Sequence, residues 1–165
     1  MGDKKVIRGL SNKEIKIVSF LELEEKRFFS KKDIRKFFKS DSDMYKYIFS
    51  LKRKGRAVRI NKDKYYLVPI QAQSVWAEHP FIVADEMFNG KGYYIGGKPA
   101  AHYWGFIDQI PAVIDVFSTK KQGTKTILGT KFRLRRVRKL GWPVKRAVSG
   151  HSFLIVSKKE SKKWI

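Results

Sequence analysis

Cysteine is absent from the 165 residues, and histidine occurs only three times. The first absence excludes a disulfide framework and a thiolate metal site. The scattered histidines lack the spacing of a ligand set, so neither metal nor cofactor is expected. Acids are scarce as well: 15 Asp and Glu stand against 37 Lys and Arg, a net charge of +22. A metal-dependent nuclease needs clustered carboxylates, and Asp85, Glu86, Asp108, Asp115 and Glu160 are spread through the second half without a recognisable spacing. No catalytic residue is assigned, and no enzyme is expected. Long apolar runs are missing, and no charged-then-apolar leader opens the chain. A cytoplasmic protein without a membrane partner is the expectation.

Apolar residues are plentiful, at 42% with 14% aromatics, which is enough for a packed core. Positive charge is in excess. Such an imbalance raises self-repulsion in the folded state unless a polyanion or an acidic partner offsets it, and nucleic acid is the first candidate. The charge has two centres. Residues 1–70 hold 20 basic and 9 acidic side chains and residues 71–165 hold 17 and 6, so each half carries +11. Within the second half, residues 120–165 hold 15 basic side chains and a single acid, Glu160.

In the first half, Ser11-Asn12-Lys13-Glu14 fits a capping box and predicts a helix over 12–25. Its stripe is expected from Ile15, Val18 and Leu21 or Glu22, widened by Ile17, Phe20 and Leu23. Phe28 and Phe29 precede a second start signal at Ser30-Lys31-Lys32-Asp33, followed by Ile34, Phe37 and Phe38 on a short helix. A third signal, Ser40-Asp41-Ser42-Asp43, leads into Met44, Tyr47, Ile48 and Leu51 at regular helical spacing, ended by Gly55. Two β-prone runs, Ala57 to Ile60 and Lys64 to Val68, flank the polar turn Asn61-Lys62-Asp63 and predict a hairpin.

Three helices and a hairpin in this order are those of a winged helix, in which the third helix enters the major groove. With Met44, Ile48 and Leu51 buried, that helix would expose Ser42, Lys46, Phe49, Ser50 and Arg53, with Tyr45 at one flank. Lys46 and Arg53 suit guanine edges or phosphates, the serines suit either, and Phe49 suits a thymine methyl. Arg59, Lys62 and Lys64 charge the hairpin, where contacts to the DNA backbone would fix register. The alternative is a solvated basic face on a helix bundle. Double-stranded DNA is the expected partner, and a homodimer on repeated half-sites fits the same fold.

Val68-Pro69 and Gln71 to Ser74 form a junction, and a mostly apolar helix is expected from His79-Pro80 to Asn89-Gly90. Next, GYYIGGKP at 92–99 comes within one position of the phosphate-loop pattern G-x-x-x-x-G-K-[ST]. Pro99 has neither a hydroxyl for magnesium nor an N–H for phosphate, and β-prone Tyr93-Tyr94-Ile95 occupies the would-be loop. A strand over 93–95, a Gly96-Gly97 turn and a helix from Pro99 to Gly105 are expected instead, with His102 as a packed side chain.

The longer stretch YYIGGKPAAHYWGFIDQIP, residues 93–111, resembles the segment that follows the winged helix in the AbiEi family of type IV abortive-infection antitoxins and regulators. The resemblance implies an N-terminal winged helix that represses the system's own promoter. It also implies a C-terminal unit that counters a nucleotidyltransferase-like toxin.

Ala112 to Phe117 reads as a strand, Lys120 to Gly123 as a turn and Ser152 to Ser157 as a further strand, with a frayed tail that Trp164 could anchor. Lys131 to Lys139 alternates basic with apolar until Arg135-Arg136, where a bulge would break the period. Arg133, Arg135, Arg136 and Arg138, with Lys145 and Arg146, form a second basic surface for DNA, RNA or an acidic toxin. The alternative there is a charged edge strand that prevents aggregation. The whole is expected to be α+β: a winged helix-turn-helix over 1–70 and a small mixed α/β domain over 71–165.

Overall fold

Glu14, not Ile15, sets the buried face of the first helix, α1 (Asn12–Leu23). Its carboxylate accepts from Ser11 N at 2.7 Å while Ser11 Oγ accepts from Glu14 N at 3.3 Å, completing the capping box. Glu14, Ile17, Val18 and Leu21 then face inward at the spacing of one helix side, leaving Ile15 45% and Leu23 82% exposed. Ile17, Val18 and Leu21 are buried as expected, whereas Ile15 and Leu23 are not, because a fully paired carboxylate at Glu14 takes the place of an apolar side chain.

The computed structural model describes residues 9–69 and 78–165. The junction expected at Gln71 to Ser74 lies outside the described residues, as does the N-terminal stretch read for a leader. The chain divides into two units, Met1–Ser74 and Val75–Ile165, and is α+β, with helices and strands in both.

In the first unit α1 is followed by β1 (Phe28–Ser30), α2 (Lys31–Ile34), a 3-10 turn (Arg35–Phe37), α3 (Asp41–Arg53), β2 (Ala57–Arg59) and β3 (Lys64–Leu67). The strands form an antiparallel sheet in the order β1-β3-β2. Strand β1 was not expected; Phe29 lies opposite Tyr65 and stacks on it, so two residues preceding a helix cap are drawn into pairing. Ile17, Val18 and Leu21 meet Ile34, Met44, Ile48 and Leu51 in one core. Each such side chain contributes about 1.5–3 kcal/mol by leaving water. Arg35 fixes the α2–α3 connection, with Nε 2.7 Å from Asp41 Oδ1 and Nη1 donating to Phe38 O at 2.6 Å.

The second unit is a six-stranded mixed sheet in the order β6-β7-β5-β4-β9-β8. In chain order it runs α4 (Pro80–Phe88), β4 (Tyr93–Gly96), α5 (Gly97–Tyr103), β5 (Val113–Ser118), β6 (Gly123–Ile127), β7 (Thr130–Arg136), β8 (Val144–Val148), β9 (His151–Ile155) and α6 (Lys158–Ser161), ending in a 3-10 turn (Lys162–Trp164). Helix α4 covers one sheet face, where Phe88 stacks on Tyr93 and Phe81 meets Phe153. The tail is not frayed: α6 is capped by Ser157, and Trp164 approaches Phe117 with ring centres 6.0 Å apart.

Two expectations about the basic strand are corrected. β7 is interior, flanked by β6 and β5, so it is not an edge strand. It contains no bulge: the parallel register with β5 runs without a break from Val113–Lys131 to Ser118–Arg136. The Arg135-Arg136 repeat is simply the exposed end of the strand. β6 and β8 escaped notice because GTKTI and VKRAV are mostly exposed and lack an apolar alternation.

Candidate nucleic-acid interface

Five acids of the first unit pair with cations other than Lys46 and Arg53, Asp63 with Lys31 among them. Lys13 Nζ lies 3.3 Å from Asp43, Lys26 2.5 Å from Asp33, Arg35 2.7 Å from Asp41 and Lys54 2.6 Å from Glu14. Lys46 and Arg53 are exposed and have no hydrogen-bond or ion-pair partner among the described residues. Between them Phe49 is 62% exposed; Tyr45, beside Lys46, is 47% exposed, and Ser42 is exposed one turn earlier. The helix thus presents these two cations and two aromatic rings to solvent.

Ser50 does not join this face. It is half-buried, and its hydroxyl donates to Glu14 Oε1 at 2.6 Å, so it serves the α1–α3 joint. Lys31, overlooked in the sequence, does join it: its ammonium sits 4.8 Å from the centre of the Tyr45 ring and 3.8 Å from Asp63 in the hairpin turn. The Tyr45 hydroxyl, accepting from that ammonium, is the chief reason that the Lys31 pKa lies above its ordinary value.

The hairpin turn is shaped by Asn61, whose Oδ1 accepts from Asp63 N and Lys64 N at 3.0 Å each. Arg59 folds over this turn, donating from Nε to Asn61 O at 3.1 Å, so its guanidinium is partly engaged. Lys62 is exposed at the tip, and Lys64 is half-buried at the start of β3. No family model matches this chain, and no curated protein matches it.

The second basic surface is not one patch. Lys131, Arg133 and Arg135 share one face of β7, whereas Phe132 and Leu134 point into the core. Arg136 and Arg138 line an open recess with Thr119, Gln122 and Val137. Lys145 and Arg146 stand on β8 at the far edge, with Arg146 5.0 Å from the Trp104 ring centre. Four strand spacings separate β7 from β8, about 19 Å.

Histidine and carboxylate positions that looked scattered are brought together in one place. Asp85, Glu86 and His151 have ligand-type atoms within 4.8 Å of one another. His151 Nε2 lies 3.0 Å from Asp85 Oδ2, and the buried Tyr93 hydroxyl donates to Asp85 Oδ1 at 2.7 Å while accepting from Leu154 N at 3.0 Å. Burial and the Asp85 hydrogen bond push the Tyr93 pKa up, keeping the phenol protonated. The ring nitrogen and both carboxylate oxygens are used in tying α4 to β4 and β9. His79 caps α4 by accepting from Phe81 N at 3.2 Å, and burial lowers its pKa, which favours the neutral ring that the cap needs. His102 Nδ1 is 3.1 Å from Ile107 O, a packed side chain.

Proposed function

We propose that the first unit is a winged-helix domain that binds double-stranded DNA, with α3 in the major groove and the β2–β3 turn against the backbone. The observation that carries this reading is the outer side of α3, where Lys46 and Arg53 have no ion-pair partner among the described residues while five acids of the unit pair with other cations. Phosphates supply such a partner, and Lys46, Arg53 and the half-exposed Phe49 and Tyr45 match the hydrogen-bonding and methyl groups of base edges. The order of helices and hairpin supports the same docking.

The chain then acts as a non-catalytic transcriptional regulator, with two copies on adjacent half-sites. The resemblance of residues 93–111 to AbiEi-type antitoxins narrows this to repression of its own promoter, with a nucleotidyltransferase-like toxin as partner of the second unit.

A gel-shift series against the DNA upstream of its own gene tests the proposal. The upstream duplex should be preferred over unrelated duplex at about 0.15 M salt. Lys46→Ala with Arg53→Ala should remove that preference, at a cost of roughly 1–3 kcal/mol for each base that is no longer read. Equal retention of both duplexes by the parent protein would defeat the reading. Co-expression with a neighbouring nucleotidyltransferase-like gene tests the toxin, and growth that is not restored rejects that partner.

A further inference from the structure

On the sheet face opposite α4, one buried carboxylate holds two arginines. Asp115 has a side chain only 5% exposed, while Arg133 and Arg135 are 48% and 47% exposed. Asp115 Oδ1 accepts from Arg133 Nε at 2.5 Å and from Arg135 Nε at 3.0 Å, and Oδ2 accepts from Arg133 Nη2 at 2.9 Å. Burial alone would raise the Asp115 carboxyl, but the two guanidiniums outweigh it and hold it ionised below the usual range. The arrangement keeps one net positive charge. Arg133 Nη1 and both Nη groups of Arg135 have no hydrogen-bond partner among the described residues.

The glycine pair of GYYIGGKP makes this possible. A Cβ on Gly97, whose φ is +66°, would lie 2.6 Å from Asp115 Oδ2, and one on Gly96 would lie 2.6 Å from the Phe117 ring. Phe117 in turn stacks on Tyr94 at 5.0 Å and lies beneath the Arg135 guanidinium at 5.9 Å. Arg135 is thus held by a carboxylate and by a ring.

Pinning the register of β5 against β7 explains only one arginine, since Asp115 lies directly opposite Arg133. Arg135, opposite Phe117, is surplus to that task. A second guanidinium drawn to the same carboxylate leaves two rigid, half-exposed donor forks side by side, the geometry that binds phosphate in two-point fashion. Lys131 continues the row, with alternate residues of a strand about 6.6 Å apart. An even row of cations suits a polymer of evenly spaced phosphates better than the irregular acids of a folded protein.

We propose that Arg133 and Arg135, oriented by Asp115, form a phosphodiester-binding fork for a nucleic-acid backbone, with Lys131 extending it along β7. Asp115 is a positioning residue, not a ligand. The site lies wholly in the second unit and does not depend on α3 reading bases.

The test uses the full chain and a labelled duplex of arbitrary sequence, followed by anisotropy across a salt series. Arg133→Gln with Arg135→Gln should weaken binding by about tenfold or more and reduce the steepness of the log–log salt dependence by roughly two phosphates' worth, about 1.8. Arg133→Lys with Arg135→Lys keeps the charge and a cation beside Asp115 but removes the forks; it should weaken binding several-fold with the salt slope nearly kept. Asp115→Asn makes the net charge more positive by one, yet it should weaken binding, because the forks lose their anchor. Thermal melts confirm that each variant is folded, and the lysine pair carries the test if Asp115→Asn is not.

Unchanged affinity and slope in the glutamine pair overturn the proposal. Full affinity in the lysine pair reduces the site to bare charge and overturns the fork. Polyglutamate binding abolished in the glutamine pair while duplex binding is kept assigns the surface to an acidic protein and overturns it as well.

Discussion

Glu14 ties the start of α1 to the end of α3. Only 2% exposed, it accepts from Ser11 N and Lys54 Nζ on one oxygen and from Ser50 Oγ on the other. Burial would raise its pKa, but the bonds from Lys54, Ser50 and Ser11 together lower it from 4.5 to about 2. A folded pKa below the unfolded one means stability that is whole above pH 4.5 and lost as pH falls from there toward 2. The shift corresponds to something on the order of 3 kcal/mol. Glu14→Gln should therefore lose stability of that order at neutral pH, and the gap between parent and variant should close as the medium is acidified below pH 4.5. Urea unfolding at several pH values reads this directly, and a gap independent of pH would show that the carboxylate's charge is not what holds the joint.

Elements differ in how openly the sequence announces them. Helix α3 is legible because Met44, Ile48 and Leu51 repeat at helical spacing behind a Ser40 cap, and its exposed side follows from the same period. Ser50 broke that inference, since its occupation depends on Glu14, 36 residues earlier. Strand β1 is only three residues long, and its pairing with β3 is a contact across more than 30 residues that no local pattern records. The Asp115 fork is invisible for a similar reason: its arginines lie 18 and 20 residues away and arrive only through the parallel pairing of β5 with β7.

The β4–α5 join shows the opposite case, where a local motif is plain but its purpose is not. Gly96-Gly97 looks like part of a phosphate loop, yet the pair makes room for the Phe117 ring and the Asp115 carboxylate. Gly97→Ala should destabilise the second unit by about 1–3 kcal/mol, from left-handed backbone strain together with overpacking. It should also weaken arbitrary-duplex binding by displacing Asp115. Calorimetry that finds the unfolding temperature of this unit unchanged would mean that the sheet yields at no cost and that the glycine is dispensable.

At the scale of the whole molecule, the +22 charge sets two effects of salt against each other. Screening weakens the exposed ion pairs such as Lys13–Asp43, each worth no more than about 1 kcal/mol. It also relieves repulsion among 37 cations that only 15 acids can offset. The excess is shared equally between the two halves, so neither escapes the repulsion, and the Glu14–Lys54 pair, whose carboxylate is buried, is less affected by mobile ions. Repulsion should dominate, and the melting temperature should rise as sodium chloride is added to a low-salt buffer. Duplex DNA should raise it at low salt too, by mass action on the folded state: about 2.7 kcal/mol when DNA stands at 100 times its dissociation constant. The two gains should not add. Salt that screens the protein also releases the DNA, so the increment from duplex should fade as the increment from salt grows. Melting curves over a grid of salt and duplex concentrations read both at once, and a melting temperature that falls with salt in the absence of DNA would place the ion pairs above the net charge in stabilising the fold.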